Sequence, residues 1–385
     1  MSTLLSAENL TGRLLFAIPK KGRLYEKCLE LLSGADVQFK RAHRLDVALV
    51  QNLPIALVFL PAADIPRFVG QGNVDLGITG QDMVAEAGPQ IGTLVTEVIE
   101  LGFGKCKLQV QVPEKVDETA PLAPGETAES RKPITSVEGL VGKKVATSFD
   151  TLAGAYFKKL DGEVNEKRKA EGLEPLPPTQ IEYVGGSVEA ACALGVADGI
   201  VDLVESGETM RACGLHPIST LLSSQAVLIR SSTSHPRIEA IRRFSTSDIG
   251  ASSQQNPPAS STPPQQQEPQ SQQQQPQSTP SLSARTKSPS AASALIDLIT
   301  SRIRGVIAAD KYVLCQYNVY KGVPLETALK ITPGRRAATV SPLREDGWSA
   351  VSVMVLKNQI AEVMDKLEAA GAEDVLVTAL HNCRV

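Results

Sequence analysis

The sequence is poor in the features that most readily reveal a chemistry. Its six cysteines (Cys28, Cys106, Cys192, Cys213, Cys315 and Cys383) are scattered, with no Cys-x-x-Cys pair and no close histidine. This disfavours a zinc site and a disulfide framework alike and fits a reducing cytoplasm. His43, His216, His235 and His381 form no His-Glu-x-x-His pattern and no Gly-x-Ser-x-Gly occurs, so no hydrolase machinery is visible. No apolar run reaches the roughly 20 residues of a membrane helix. The start, MSTLLSAENLTGR, lacks both the basic and apolar regions of a signal peptide and the Arg-rich pattern of a transit peptide. An excess of one charge is missing too, with 39 basic against 42 acidic residues. Nothing at whole-chain level therefore points to nucleic acid or membrane, and any anion site must be local. A soluble cytoplasmic protein is expected.

What is present is an ordinary globular composition, 42% hydrophobic over 385 residues, enough for two or three cored domains. Between residues 245 and 290 Gln, Pro and Ser dominate and aliphatic residues nearly vanish. Such a segment cannot bury enough apolar surface to offset its ordering entropy, and a disordered linker is expected there. Residues 113–132 and 161–178, rich in charge and proline, read as surface loops.

Before the linker, in residues 1–244, short aliphatic runs alternate with amphipathic segments: LLFAI (14–18), IALVFL (55–60), VDLGI (74–78), KLQVQV (107–112), KKVAT (143–147), IEYV (181–184) and GIVDLV (199–204). This is the pattern of an α/β protein with many buried parallel strands, and its return after residue 105 suggests two lobes facing a cleft. After the linker, residues 291–309 read as a helix. Strands at 312–319, 338–343, 351–356 and 375–380 and helices at 324–330 and from Ile360 to Gly371 then follow in the order βαββαβ, the ferredoxin-like unit. With no evident catalytic group, residues 291–385 read as a sensor or assembly module.

The strongest local pattern is ADGIVDLVESGETMRACGL, residues 197–215. A buried strand ends in Glu205, Ser206, Gly207, Glu208 and Thr209 and leads into a short helix, and ligands of open α/β sheets bind at such strand ends. Gly207 lets the backbone approach an anion, the following N–H groups point at it, and the Ser206 and Thr209 hydroxyls add donors. A 5′-phosphate would suit this cradle, with Asp202 accepting from ribose hydroxyls; the same residue types also simply cap helices. AIPKKGRL places Lys20, Lys21 and Arg23 around Gly22 at the end of the first strand, where three cations suit a diphosphate leaving group or form a solvated basic turn. VDLGITGQD places Gly77, Thr79 and Gly80 at a strand end with Asp82 beyond, and VGGSVEA adds a second Gly-rich strand-to-helix turn with Ser187 as its cap.

The Asp-bearing strand followed by hydroxyl, Gly, any residue and Thr resembles the phosphoribosyl-diphosphate motif of phosphoribosyltransferases, with Val201 and Asp202 where the commonest version has two adjacent acids. With IPKKGRL, IPRFVGQGNVDLGITGQD, LGFGKCKL, KKVATSF, VGGSVEAA, RIRGVIAADKYVLCQYNV and ITPGRRAATVSPL in the same order, the chain resembles the long-form ATP phosphoribosyltransferases, and its closing AGAEDVLVTALHNCRV is most like fungal members. The resemblance implies a two-lobed, periplasmic-binding-protein-like catalytic part and a ferredoxin-like regulatory domain that binds histidine as feedback inhibitor. It further implies transfer of phosphoribosyl from phosphoribosyl diphosphate to N1 of ATP with Mg²⁺, and exchange between homodimers and hexamers. Carried over residue by residue, it gives Lys20, Lys21, Arg23 and Asp202 catalytic roles and residues 205–209 with Asp202 the phosphoribosyl-diphosphate site. Gly77, Thr79, Gly80, Lys107, Ser148 and Thr151 fall on the ATP side, and Lys107 joins the phosphate contacts. Asn318, Thr339 and Ser341 are candidates for the effector. Residue types alone leave a rival open, a two-lobed binding protein without transfer chemistry.

Overall fold

β1 (Leu14–Pro19) is buried along its whole length, and its alternation divides the first lobe into two cores. Leu14, Phe16 and Ile18 face one side, where α1 (Arg23–Gly34) packs Cys28, Leu31 and Leu32 against them. Leu15 and Ala17 face the other, covered by Ile65 and Val69 of α2 (Ile65–Gly70). This computed structural model describes residue 10 and residues 12–42, 45–114, 133–232 and 291–384. The expected linker, 245–290, and most of the expected loop at 113–132 lie outside the described residues.

The first-lobe sheet runs β2 (Val47–Leu49), β3 (Ile55–Leu60), β1, β4 (Leu76–Gly80), β11 (Ala226–Ser231) and β5 (Val95–Glu100). β3, β1 and β4 are parallel, whereas β11 is antiparallel to both its neighbours. β4 is followed by two short helices, α3 (Gln81–Glu86) and α4 (Gly88–Gly92).

The second lobe is the stretch between β5 and β11. Its sheet order is β10 (Leu215–Ser224), β6 (Cys106–Pro113), β9 (Gly199–Val204), β7 (Lys144–Thr147) and β8 (Gln180–Tyr183). β9, β7 and β8 are parallel, and β6 and β10 antiparallel, so fewer strands are parallel than the apolar runs suggest. α5 (Asp150–Ala170) buries Ala153, Phe157 and Leu160 on this sheet. It corrects the expected loop at 161–178, whose first ten residues are helix. The charged residues there, Glu163, Glu166, Lys167, Arg168 and Lys169, are good helix formers on an exposed face. Buried Asp161 then pins the returning chain, accepting from Thr179 N–H at 2.8 Å and its hydroxyl at 2.6 Å.

The chain crosses between lobes twice, at residues 101–105 and at Gln225. The crossings are paired: Leu101 N–H donates to Ala226 O and Ala226 N–H to Phe103 O, both at 2.9 Å.

The C-terminal sheet is fully antiparallel, in the order β13 (Thr339–Pro342), β14 (Trp348–Leu356), β12 (Tyr312–Tyr320), β15 (Ala372–Ala379). α8 (Val323–Ile331) and α9 (Ile360–Ala369) cover the face bearing Val313, Cys315, Tyr317, Val351 and Val353. Gly371, at φ +84°, ends α9 in the left-handed region, as its place after the periodic residues predicts. This is the ferredoxin-like order. α7 (Ala291–Asp310), which precedes it, buries Leu295, Ile296, Ile299 and Ile303 in the first-lobe core beside α1. No helix among the described residues is long and apolar enough to cross a membrane.

Candidate active site

The strand β9 delivers its carboxyl end to the gap between the lobes. Asp202 and residues 203–210 form one wall of a cleft of about 760 Å³, opposite Arg23, Leu24 and Lys27 of α1 and Asp82 and Met83 of α3. Phe103, Gly104 and Ala226, at the two crossings, close it behind. The two-lobed reading and the 205–209 motif thus meet at one place.

The turn after β9 is shaped by Gly207, at φ +75° and ψ 8°. A side chain there would be strained, and its Cβ would fall 2.8 Å from Arg211 Nη1. Arg211 anchors the turn from beneath, Nη2 donating to Ser206 O at 3.2 Å. Ser206 Oγ accepts a long 3.4 Å bond from Glu208 N–H, which leaves its own proton available. Glu205, Ser206, Glu208 and Thr209 are exposed, and α6 (Glu208–Ala212) follows.

Asp202 is largely buried, and desolvation pushes its carboxyl up to about 6; the nearby charge of Glu189 adds to the rise, while the N–H of Leu203, donating at 2.8 Å, opposes it. Across the cleft Arg23 Nη1 meets Glu205 Oε2 at 2.6 Å. Asp82, 4% exposed, is held by Ser224: its N–H donates to Ser224 Oγ at 3.0 Å, and the hydroxyl donates back to Asp82 Oδ1. A Cβ at Gly80 would overlap that carboxylate. α3 also places Met83 against the second-lobe core. Its Glu86 accepts the N–H groups of Thr151 and Leu152 at 2.8 and 3.0 Å, so a first-lobe carboxylate caps a second-lobe helix. Desolvation raises the pKa of Glu86 against these two bonds.

On the far side of the 205–207 turn lies a second depression of about 550 Å³, where Lys105, Lys107 and Arg211 converge with Ser223 and Gln225. Lys107 faces Val204 across the β6–β9 ladder, which places it beside the turn.

The remaining candidates are distributed as follows. Lys20 and Lys21 stay at the end of β1, half-buried and exposed respectively, and line neither depression. Gly77 is inside β4, where a Cβ would lie 2.5 Å from Ile65 Cγ2; its smallness serves the packing of α2. Thr79 is fully buried and its hydroxyl donates to Ala62 O at 2.9 Å. Ser148 and Thr151 flank the start of α5, away from both depressions. Ser187 has φ +52° and makes no side-chain cap, and only a three-residue 3₁₀ turn follows. Asn318, Ala350 and Ser341 are aligned across three strands, with Gln316, Ser352 and Thr339 in the next row, so the three effector candidates share the sheet face opposite α8 and α9. Asn318 Nδ2 donates to Asp374 Oδ2 at 2.9 Å. Lys105, Arg211 and Gln111 are at the site but were not singled out by the sequence, and only the spacing of Arg211, four residues after Gly207, offered a signal; Glu189, which VGGSVEA places in the first turn after Ser187, is at the cleft too.

Comparison with known proteins adds the chemistry. Residues 61–247 match the family model described as ATP phosphoribosyltransferase, and residues 309–382 match that of the HisG, C-terminal domain. The sequence is 49% identical to the ATP phosphoribosyltransferase of Yarrowia lipolytica and 48% identical to that of Schizosaccharomyces pombe, each over 98% of both chains. It is 43% identical to the Saccharomyces cerevisiae enzyme over the same share. Among solved structures, the ATP phosphoribosyl transferase (HisG:HisZ) complex from Thermotoga maritima aligns at a TM-score of 0.40 and 22% identity, over 57% of this chain and 87% of that one.

Proposed function

The chain belongs to the ATP phosphoribosyltransferase family, and we propose that it joins N1 of ATP to C1 of phosphoribosyl diphosphate, giving phosphoribosyl-ATP and diphosphate in the first step of histidine biosynthesis. The observation that carries this reading is the 205–209 turn with Asp202 on one wall of the cleft and Arg23 on the other.

In this reading the N–H groups after Gly207 and the hydroxyls of Ser206 and Thr209 bind the 5′-phosphate, and Asp202, ionised above pH about 6, accepts from the ribose hydroxyls. The N1 lone pair forms the new bond to C1 as the bond from C1 to the diphosphate oxygen breaks, and diphosphate leaves with the electron pair. Charge grows on that oxygen, and fixed cations stabilise it without reorganising. Arg23 is the cleft cation that faces the turn, with Lys27 one helical turn further along α1, and Lys107, with Lys105 and Arg211, forms a second group on the far side of the turn. Lys20 and Lys21, half-buried and exposed respectively at the end of β1, would reach a ligand only through their long side chains. Asp82, oriented by Ser224, offers a fixed acceptor to the adenine.

Among the described residues no three carboxylate, thiol or imidazole groups are gathered for a metal, so a Mg²⁺ would be held chiefly by substrate phosphates, with one or two of the cleft carboxylates Asp202, Glu189 and Glu205. When bound, the ion would neutralise the diphosphate. We place the enzyme in the cytoplasm as a homo-oligomer, with histidine acting as feedback inhibitor on the C-terminal module through Asn318, Thr339 and Ser341. The test is incubation with ATP, phosphoribosyl diphosphate and Mg²⁺, following the change in adenine absorbance and diphosphate release, with and without histidine. Binding of either substrate with no product would leave the rival, a two-lobed binding protein.

A further inference from the structure

α1 has two sets of neighbours. Its N-terminal half lines the cleft through Arg23, Leu24 and Lys27. At its other end the carbonyls of Leu31, Leu32 and Ser33 accept from the N–H groups of Ala35, Val37 and Asp36, whereas those of Gly34 and the next two residues are held from the far end of the sequence. Asn382 Nδ2 donates to Gly34 O at 2.9 Å. Arg302 of α7 donates to the carbonyls of Ala35 and Asp36 at 3.3 and 3.2 Å and pairs with the Asp36 carboxylate at 3.6 Å. There is no slack in this clasp: a Cβ at Gly34 would lie 3.0 Å from both γ-carbons of Val306.

Residues 381–384 are themselves closed onto α7. Cys383 N–H donates to Gly305 O at 3.1 Å. A Cβ at Gly305 would lie 2.6 Å from Cys383 O and overlap the side chains of Asn382 and Arg384. Arg384 Nη1 donates to Asn382 Oδ1 at 2.6 Å, which fixes the amide so that its N–H faces Gly34.

We infer that Asn382 is a positioning residue for the cleft: with α7 it sets α1, and α1 sets Arg23 against the phosphate turn. A twelve-residue helix is about 18 Å long, and its buried face is locked into the first-lobe core, so its two ends move together. β15 runs directly into the residues that hold α1, and a shift of the C-terminal sheet is thereby felt at Arg23. What the cleft binds rests on the proposed function; the mechanical link does not.

The experiment compares full-length Asn382→Asp, a near-isostere without the donor, and Gly305→Ala, which puts a methyl group where the chain closes. The KM for phosphoribosyl diphosphate is expected to rise about five-fold, the low end of coupling between sites, with kcat changed by less than about two-fold. In an Arg23→Ala background neither substitution should raise KM further. Independently of turnover, hydrogen exchange in residues 23–35 should quicken about five-fold in Asn382→Asp. Unchanged exchange in both variants overturns the inference. So does faster exchange with unchanged KM, or KM effects that add to that of Arg23→Ala, since the clasp would then be stabilising only. If the wild-type chain forms no product, the proposed function fails, and calorimetric binding of inorganic diphosphate replaces KM in the same comparison.

Discussion

Arg23 on the first lobe and Glu205 on the second meet at 2.6 Å, with their side chains 81% and 51% exposed. A solvated pair of this kind is worth at most about 1 kcal/mol. It therefore holds a cation beside the 205–209 turn at little cost to its release. In the proposed function an entering phosphate would compete with one carboxylate for the guanidinium.

Glu205→Gln should leave the unfolding free energy within about 1 kcal/mol of wild type. Arg23→Ala should raise the KM for phosphoribosyl diphosphate about ten-fold or more, the worth of a charged hydrogen bond. Steady-state kinetics and chemical denaturation check both; an unaltered KM in Arg23→Ala would remove Arg23 from the site.

Asp202 makes a prediction about pH. Its carboxyl titrates near 6 in the folded chain against 3.8 as the ordinary value, so between these values the folded state holds a proton that the unfolded state has released. The stability it contributes is full below pH 4 and is lost as pH rises through about 6, up to about 3 kcal/mol. Asp202→Asn should thus be more stable than wild type at pH 8, but not at pH 4, while losing at least about ten-fold in kcat/KM. Wild-type activity should fall as pH drops through about 6. Denaturation at the two pH values and a pH–rate profile test this.

Thr209 and the Lys107–Arg211 group should separate in their effects. Thr209→Ala removes one neutral donor and should cost about three- to ten-fold in kcat/KM. Lys107→Ala, which removes a charge beside the turn, should weaken inhibition by inorganic diphosphate more than Lys21→Ala does. Equal effects of the two lysine substitutions on product inhibition would return the diphosphate to the β1 turn.

α7 belongs energetically to the first lobe. A chain ending at residue 244 would expose the sites of Leu295, Ile296, Ile299 and Ile303, each burial being worth about 1.5–3 kcal/mol. It should unfold at markedly lower denaturant than a chain ending at residue 310. Similar midpoints for the two would show that the α7 contacts add little.

The aliphatic runs were legible directly: LLFAI became a fully buried strand, IALVFL a mostly buried one, and GIVDLV a strand buried from Gly199 to Val201 and half-buried from Asp202 to Val204. So was the whole C-terminal unit, because Val351, Val353 and Val355 alternate and Ile360, Val363 and Leu367 recur at helical spacing. β10, with its Pro217 and mixed residues HPISTLLSS, carried no such signal, since it gains its place from pairing with β6. The 205–209 turn was readable as a turn because its glycine and hydroxyl residues are adjacent in sequence. The opposing wall was only partly so: Asp82 and Glu86 act on residues 142 and 65 positions away, and Thr79, a plausible ligand group on paper, is consumed by a backbone carbonyl.

The insertion of β11 between β4 and β5 has a consequence for biosynthesis. The second lobe is one unbroken stretch, 106–224, and has all its strands once that stretch has left the ribosome. The first lobe begins earlier but must wait, for β11 to fill the gap in its sheet and then for α7 to cover its core, some 60 residues later still. Synthesised vectorially, the lobe made first is completed last. Its half-formed sheet, with β4 and β5 each lacking a partner, is the nascent chain's most aggregation-prone state.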